Sequence, residues 1–271
     1  MFLFRKKHTL QAALRSHPGL IRGNNEDAAR ILSGGRTEAG ADLGKCSPEQ
    51  AEFSGTWSGD SVCFLAAAAD GMGGEACGEL ASFAAIRHLQ PASFRKIRET
   101  GEETVRRANE EICREMAARG ARMGSTLAVL YLDGDQGMAM NLGDSRIYLL
   151  RDGSLTQLSE DHSRAAQMVR QGILTPEEAL SHPGRHALTQ HLGIEPEEFL
   201  IEPAWEGPLD LAAGDRFLLC SDGLYDMVSE EEIRRFLETA ESPEDACGTL
   251  LDAALAGGGR DNVTVLAVFV S

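Results

Sequence analysis

Ser125-Thr-Leu-Ala-Val-Leu-Tyr-Leu132, Asp133-Gly134-Asp-Gln136, Gly137-Met-Ala-Met-Asn-Leu142, Gly143-Asp144, Ser145-Arg146-Ile-Tyr-Leu-Leu-Arg151, Asp152-Gly153 and Ser154-Leu-Thr-Gln-Leu158 follow one another without interruption. Short apolar runs alternate here with Gly/Asp punctuation, and the Asp152-Gly153 pair is a strong two-residue hairpin signal. The stretch predicts an antiparallel meander. Working outward, residues 20–32, 61–69, 216–220 and 263–270 read as further strands. Leu80, Phe83, Ile86 and Leu89 recur every three residues, and Val105, Ala108, Ile112 and Met116 form a second stripe within 102–119. Both are single apolar faces of helices. Two more helices are predicted at 229–238 and 243–256. Strands in the middle and at both ends, with helices inserted in pairs, give an α+β class with mostly antiparallel sheets. Residues 33–60, rich in Gly, Ser, Glu and Asp, read as a long surface loop. Residues 159–195 switch to short helical pieces with His, Pro and Gly, as expected of a flap. No repeat or linker divides the chain, so 1–271 reads as a single domain.

Several strand ends carry acids. Ala66–Ala69 leads into Asp70-Gly-Met-Gly-Gly74, Phe217–Cys220 into Ser221-Asp222-Gly223, and Asp261-Asn262 into the run Val263–Val270. A further patch, Arg22-Gly-Asn-Asn25-Glu26-Asp27, lies near the start. Carboxylates gathered at neighbouring strand ends repel one another unless cations sit between them. Oxygen donors of this kind select hard ions such as Mg²⁺ or Mn²⁺. A glycine directly after Asp70 allows close backbone approach and a sharp turn.

Composition narrows the function. A formal net charge of −16 argues against nucleic acid, which requires a basic surface to displace counterions. No apolar run approaches the ~20 residues that span a bilayer, so stable membrane insertion is not expected. The start, Met1-Phe-Leu-Phe-Arg-Lys-Lys7, has the reverse order of a secretory signal. Six cysteines without a CxxC pair fit free thiols in a reducing cytoplasm.

The acidic patches belong to a longer ordered series. It runs through Arg22-Gly-Asn-Asn25-Glu26-Asp27, Ala69-Asp70-Gly71-Met72-Gly73-Gly74, Met123-Gly-Ser-Thr126, Asn141-Leu-Gly-Asp144-Ser-Arg146 and Leu158-Ser-Glu-Asp161-His-Ser163. It continues with Leu188-Thr-Gln-His-Leu-Gly193, Cys220-Ser-Asp222-Gly-Leu-Tyr-Asp226 and Gly259-Arg-Asp261-Asn-Val-Thr264. In these segments and their order the chain resembles the type-2C metal-dependent protein serine/threonine phosphatases in their bacterial form, over about residues 16–270.

The resemblance implies a β-sandwich of two antiparallel sheets flanked by pairs of helices. It implies two Mn²⁺ or Mg²⁺ ions, bridged by Asp70, with Gly71 offering its carbonyl and Asp222 and Asp261 holding the first ion. Glu26 and Asp27 would act largely through bound water, and Arg22 would bind the substrate phosphate. Asp144, Asp222 and Asp226 would form a looser third ion site. The implied reaction is direct attack on phosphoserine or phosphothreonine by a hydroxide shared between the ions. The implied partners are phosphorylated proteins and a cognate serine/threonine kinase, and the implied state is a monomer. Met72 stands where animal members carry a histidine regarded as general acid, which leaves that role without a residue. Arg146 with Asp144 reads as an ion-paired turn, His162 as an orienting hydrogen-bonder, and the histidines at 182, 186 and 191 do not match a zinc site. A catalytically silent relative would have lost metal aspartates; this chain keeps Asp27, Asp70, Asp222 and Asp261. A dedicated stress-response phosphatase would be expected to carry a sensor domain.

Overall fold

Antiparallel pairing organises the computed structural model, which describes residues 8–34, 36–37, 51–58, 63–73, 77–195, 197 and 200–271. The chain begins with strands β1 (Thr9–His17), β2 (Ala28–Ser33), β3 (Arg36–Thr37), β4 (Ala51–Ser58), β5 (Cys63–Ala69) and β6 (Gly71–Gly73). Helices α1 (Gly78–Arg87) and α2 (Ile97–Arg119) follow. Next come β7 (Met123–Ser125), β8 (Leu127–Asp133), β9 (Gln136–Leu142), β10 (Arg146–Arg151) and β11 (Ser154–Gln157). Short helices α3 (Arg164–Arg170) and α4 (Pro176–Leu180) precede β12 (Ala204–Asp210) and β13 (Arg216–Cys220). The chain ends with α5 (Asp222–Tyr225), α6 (Glu230–Thr239), α7 (Pro243–Ala256) and β14 (Val263–Val270).

Two six-stranded sheets result, ordered β11-β10-β13-β14-β1-β4 and β12-β9-β8-β5-β2-β3. Their alternating side chains build the layers. Along β8, Ala128, Leu130 and Leu132 enter the core between the sheets with Ile31, Phe64, Phe217 and Leu266. Leu127, Val129 and Tyr131 face the other way, against α1 and α2. On the opposite sheet Val263, Val265 and Ala267 of β14 pack against Leu250, Leu251 and Ala254 of α7 and Ile233 and Leu237 of α6. The order is helices, sheet, sheet, helices, as expected. Fully burying a side chain such as Phe217 or Ile31 contributes roughly 1.5–3 kcal/mol, so the inter-sheet layer fixes how the strand ends meet.

The four runs of the predicted meander are all strands, but they do not share one sheet. β8 and β9 belong to one, β10 and β11 to the other, and the chain crosses between them at Gly143-Asp144-Ser145. Gly143 makes the crossing possible. Its φ is +95°, and a Cβ there would lie 2.6 Å from the Thr126 methyl. The Asp152-Gly153 turn has both residues at positive φ, 51° and 75°, as a type I′ hairpin requires.

Three further expectations change. The predicted strand 20–32 begins only at Ala28, because the backbone of 18–26 bonds to Asn262 and Gly259, and only the Glu26 carbonyl at its end meets a strand residue, Gly71. The predicted surface loop 33–60 contains β4, paired with β1 along Thr9–Ser16. Within α1 the fully buried face runs through Ala81, Ala84, Ala85 and Ile86, while Leu80 and Phe83 are only partly covered; small side chains let the helix lie close to the sheet. Residues 1–7, 38–50, 59–62 and Gly74, including the apolar-basic start and the centre of the expected loop, lie outside the described residues.

Candidate metal centre

Sheet register brings the acids together. Ala28 on β2 pairs with Ala69 on β5, so Asp27 and Asp70 emerge side by side where those strands end. On the other sheet Cys220 of β13 pairs with Val265 of β14, which sets Ser221-Asp222 next to Asp261-Asn262. Asp144 joins them at the crossing between the sheets. Each acid acts electrostatically on the others: Asp70 feels Asp27, Asp222, Asp144 and Asp261.

Hydroxyls and an amide hold this arrangement. Ser221 Oγ donates to Asp27 Oδ2 at 2.7 Å and accepts from Thr264 N at 3.0 Å. Thr126 Oγ1 accepts from Asp70 N at 2.8 Å, and Ser125 Oγ donates to Asp70 O at 3.0 Å. The Met123–Thr126 segment therefore positions the Asp70 backbone. Asn262 donates to the carbonyls of Pro18 and Asn24 at 2.9 and 2.8 Å and accepts from Glu26 N at 2.8 Å. It fastens the 18–26 loop to the start of β14.

Gly71 is wedged so tightly that a Cβ would lie 2.1 Å from the Gly78 carbonyl and 2.5 Å from that of Glu26. Any side chain there would push Asp70 away from its neighbours. Gly78 likewise leaves room for the Glu26 carboxylate, which a Cβ would approach to 2.6 Å.

The electrostatics are those of a site built for cations. Burial pushes the Asp27 carboxyl up to about 7 against the opposing Ser221 and Thr264 hydrogen bonds, with Asp222 and Asp261 adding to the rise. Burial and the surrounding acids push Asp70 well above the carboxylate range. Asp144 rises to about 7, through burial first and then the charges of Asp222 and Asp161. Glu26 is raised mainly by burial. Among the described residues, Asp27 Oδ1 and Asp222 Oδ1 are buried polar atoms without a hydrogen-bond partner. Such atoms are costly to leave bare. Oxygen donors with unfilled lone pairs fit Mg²⁺ or Mn²⁺.

Arg22 sits at the mouth. Its Nη2 lies 2.7 Å from Asp261 Oδ2, and more than half of the side chain is exposed. The hydrogen bond and charge of Asp261 raise its pKa, so it is a fixed cation beside the acids.

The 159–195 segment reaches the same place. His186 Nδ1 is 3.4 Å from Asp222 Oδ2 and its Nε2 is 3.4 Å from Asp226 Oδ2. One donor atom each from Asp144, His186 and Asp222 lie within 4.8 Å of one another. Asp226, expected as the companion of Asp144 and Asp222, is ion-paired with Arg185. Sequence pattern alone excludes His186 because its spacing to other histidines is wrong for zinc; its partners are aspartates distant in the chain.

Arg146 does not pair with Asp144. It makes a forked pair with Asp161, Nη2 to Oδ2 at 2.7 Å, and lies 3.9 Å above the Tyr225 ring. Tyr225 in turn donates to the Asp144 carbonyl at 3.1 Å. His162 Nδ1 accepts from Gly143 N at 3.2 Å, the orienting role expected for it, and burial lowers its pKa.

The sequence model of the Protein phosphatase 2C family matches residues 44–257. The chain belongs to this family. It is 39% identical over 271 residues to the serine/threonine protein phosphatase PstP of Mycobacterium tuberculosis, covering 95% of this chain and 44% of that protein. It thus spans less than half the length of that relative. It is 38% identical over 210 residues to the protein phosphatase PhpP of Streptococcus pneumoniae, covering 74% of this chain and 83% of PhpP. Among solved structures, the PstP catalytic domain in complex with two manganese ions superposes with a TM-score of 0.72 at 33% identity. That likeness covers 97% of this chain and 99% of the domain. In this protein phosphatase 2C member, Ser221, Asn262 and His186 touch the candidate centre or its loop, although the sequence alone gives them no role there. Asn262 and Ser221 have a signal in hindsight, since each directly adjoins a strand-end aspartate.

Proposed function

We propose that the protein is a metal-dependent protein serine/threonine phosphatase. The observation that supports this most is the cluster of Asp27 and Asp144, both buried, with the partly buried Asp70 and Asp222, and with bare oxygens on Asp27 and Asp222, in a chain of this family. Asp70, Asp222 and Asp261, with the Gly71 carbonyl, would hold the two-ion core; Glu26 and Asp27 would orient its water ligands. Asp144 and Asp222 would hold a third, looser ion, with Asp226 tied to the flap. When bound, the ions supply Lewis acidity and lower the pKa of water near phosphorus.

The chain's own residues do the rest. Arg22 presents a planar fork to the phosphoryl oxygens, where it offsets charge developing on them. Its bond to Asp261 keeps the fork aimed across the site. The Ser221 hydrogen bond favours the ionised form of Asp27, against burial, and fixes the orientation of its carboxylate. Cys220, which directly precedes Ser221-Asp222, and Cys247 are buried, and burial pushes both thiols up to about 12, so neither supplies a thiolate near neutral pH.

The substrates are phosphoserine and phosphothreonine in proteins, set against a cognate serine/threonine kinase. We further assign the whole of 1–271 to one monomeric catalytic domain with 159–195 as its flap, acting in the cytoplasm. No helix among the described residues is long and apolar enough to cross a membrane. The test is phosphate release from a phosphothreonine peptide with Mn²⁺ and with excess chelator. Release that persists in chelator overturns the proposal.

A further inference from the structure

Leu20 and Ile21, immediately before Arg22, are 62% and 72% exposed. They are the two adjacent members of a short series of exposed large apolar side chains among the described residues. Isolated exposed leucines need no explanation. This pair differs because the backbone that carries it is anchored on both sides. Leu20 N donates to the Gly259 carbonyl at 2.7 Å, Gly19 N to His17 Nδ1 at 3.0 Å, and Asn262 Nδ2 to the carbonyls on either side of the turn, Pro18 and Asn24. Gly19 has φ +80° and is packed so closely that a Cβ would lie 2.2 Å from the Asp261 carbonyl. The same Asp261 holds Arg22 through its carboxylate. The turn therefore fixes two aliphatic side chains in water at a set distance from the phosphate-facing arginine.

We propose that Leu20 and Ile21 form an apolar lip that receives a hydrophobic side chain one or two positions from the phosphorylated residue of a peptide substrate. This deepens the phosphatase reading and rests on it. The turn and the arginine share one anchor, since Gly19 packs on the Asp261 carbonyl and Arg22 bonds to the Asp261 carboxylate, and an extended peptide advances about 3.3–3.6 Å per residue. A phosphate on Arg22 thus brings its near neighbours over the lip. An aliphatic side chain seated there removes apolar surface from water on both partners. Because the turn is already ordered, the contact costs little further conformational entropy.

The test uses Mn²⁺-loaded full chain and a polar phosphothreonine peptide, with leucine placed singly at each of the two positions before and after the phosphorylated residue. At least one leucine peptide is expected to exceed the polar parent by about tenfold in kcat/KM. Ile21→Ser is expected to reduce that preference to within about twofold, and Ile21→Met to restore most of it. Hydrolysis of a small aryl phosphate by the same preparations reports on the centre itself. Peptide hydrolysis without a leucine preference, or a preference that survives Ile21→Ser, overturns the lip and leaves the phosphatase reading standing. Absence of hydrolysis on peptides and aryl phosphate alike overturns both. Self-association that depends on Ile21, found by sedimentation together with no peptide preference, overturns it in favour of a second copy as occupant.

Discussion

Ser221 Oγ lies 2.7 Å from Asp27 Oδ2, and the bond joins the end of one sheet to the end of the other, because Ser221 follows β13 and Asp27 precedes β2. The same hydroxyl accepts from Thr264 N. One buried oxygen thus orients a carboxylate of the candidate centre and satisfies a backbone donor. Ser221→Ala is expected to lower stability by about 1–3 kcal/mol, since a buried N–H loses its acceptor. It should also weaken Mn²⁺ binding, because a hydrogen bond that favours ionised Asp27 is gone. Chemical denaturation and metal titration of the variant measure the two effects separately. Unchanged metal affinity would show that Ser221 serves the fold alone.

Without ions, the raised carboxyls make stability depend on pH. Asp27 titrates near 7 when folded and near 3.8 unfolded. A group raised in this way contributes stability that is complete below its unfolded pKa and is lost as pH rises through its folded pKa. Asp70 and Asp144 act in the same direction. The metal-free protein is therefore expected to lose on the order of a few kcal/mol between about pH 4 and pH 8 from this cluster. Divalent ions replace the protons and should reverse the loss. The rise in Tm on adding Mn²⁺ is expected to be larger at pH 8 than at pH 5.5, and calorimetry at both values checks it. An equal rise at both values would mean that the cluster is already ionised without metal.

Asp70→Asn and Asp222→Asn are expected to lower turnover by on the order of a thousandfold or more, since each removes a charge that would balance the ions. The cysteines provide the contrast. Cys220→Ser and Cys247→Ser should alter stability but not chemistry, as both thiols are buried and protonated. Rates per folded molecule, measured after denaturation curves have fixed the folded fraction, distinguish the outcomes. A folded Cys220→Ser protein without turnover would point to a thiol mechanism.

Arg22→Ala tests the phosphate fork. Loss of a charged hydrogen bond should cost about 1.5–3 kcal/mol in kcat/KM. Arg22→Lys should recover only part, because a point charge cannot donate two parallel hydrogen bonds. Steady-state kinetics on one phosphopeptide suffices, and wild-type values for Arg22→Ala would remove it from the site.

What local pattern reveals in this chain depends on where the partners lie. β14 and β8 are runs of branched and aromatic residues, and their strand character is evident from the residues alone. Thr9–His17 is not predicted as a strand, since Gln11, Ala12 and Ala13 are weak strand formers. It becomes one by pairing with Val263–Val270 at the other end of the chain. The acids that converge were legible because each adjoins a strand end. His186 was not, because its approach to Asp222 depends on how the 159–195 segment folds back. Likewise, the split of the meander between two sheets rests on Gly143 fitting against Thr126, a contact that no local periodicity encodes.

His186 supplies the last prediction. Its imidazole faces Asp222 and Asp226, and the Asp222 hydrogen bond raises its pKa. Arg185, one residue earlier, holds Asp226. The turn at 185–186 thus meets the acidic cluster with a nitrogen donor where an amide or carboxylate would present oxygen. Nitrogen favours Mn²⁺ over Mg²⁺ at a site shared with Asp144 and Asp222. His186→Ala is expected to weaken the weakest class of bound Mn²⁺ by about tenfold and to leave the tighter class in place. Arg185→Ala should weaken the same class less, through a freer turn, and should slow phosphopeptides more than a small aryl phosphate. Electron paramagnetic resonance titration of free Mn²⁺ resolves the classes directly. If His186→Ala weakens the tight class as well, the 159–195 segment supports the central ions and is no separate cover.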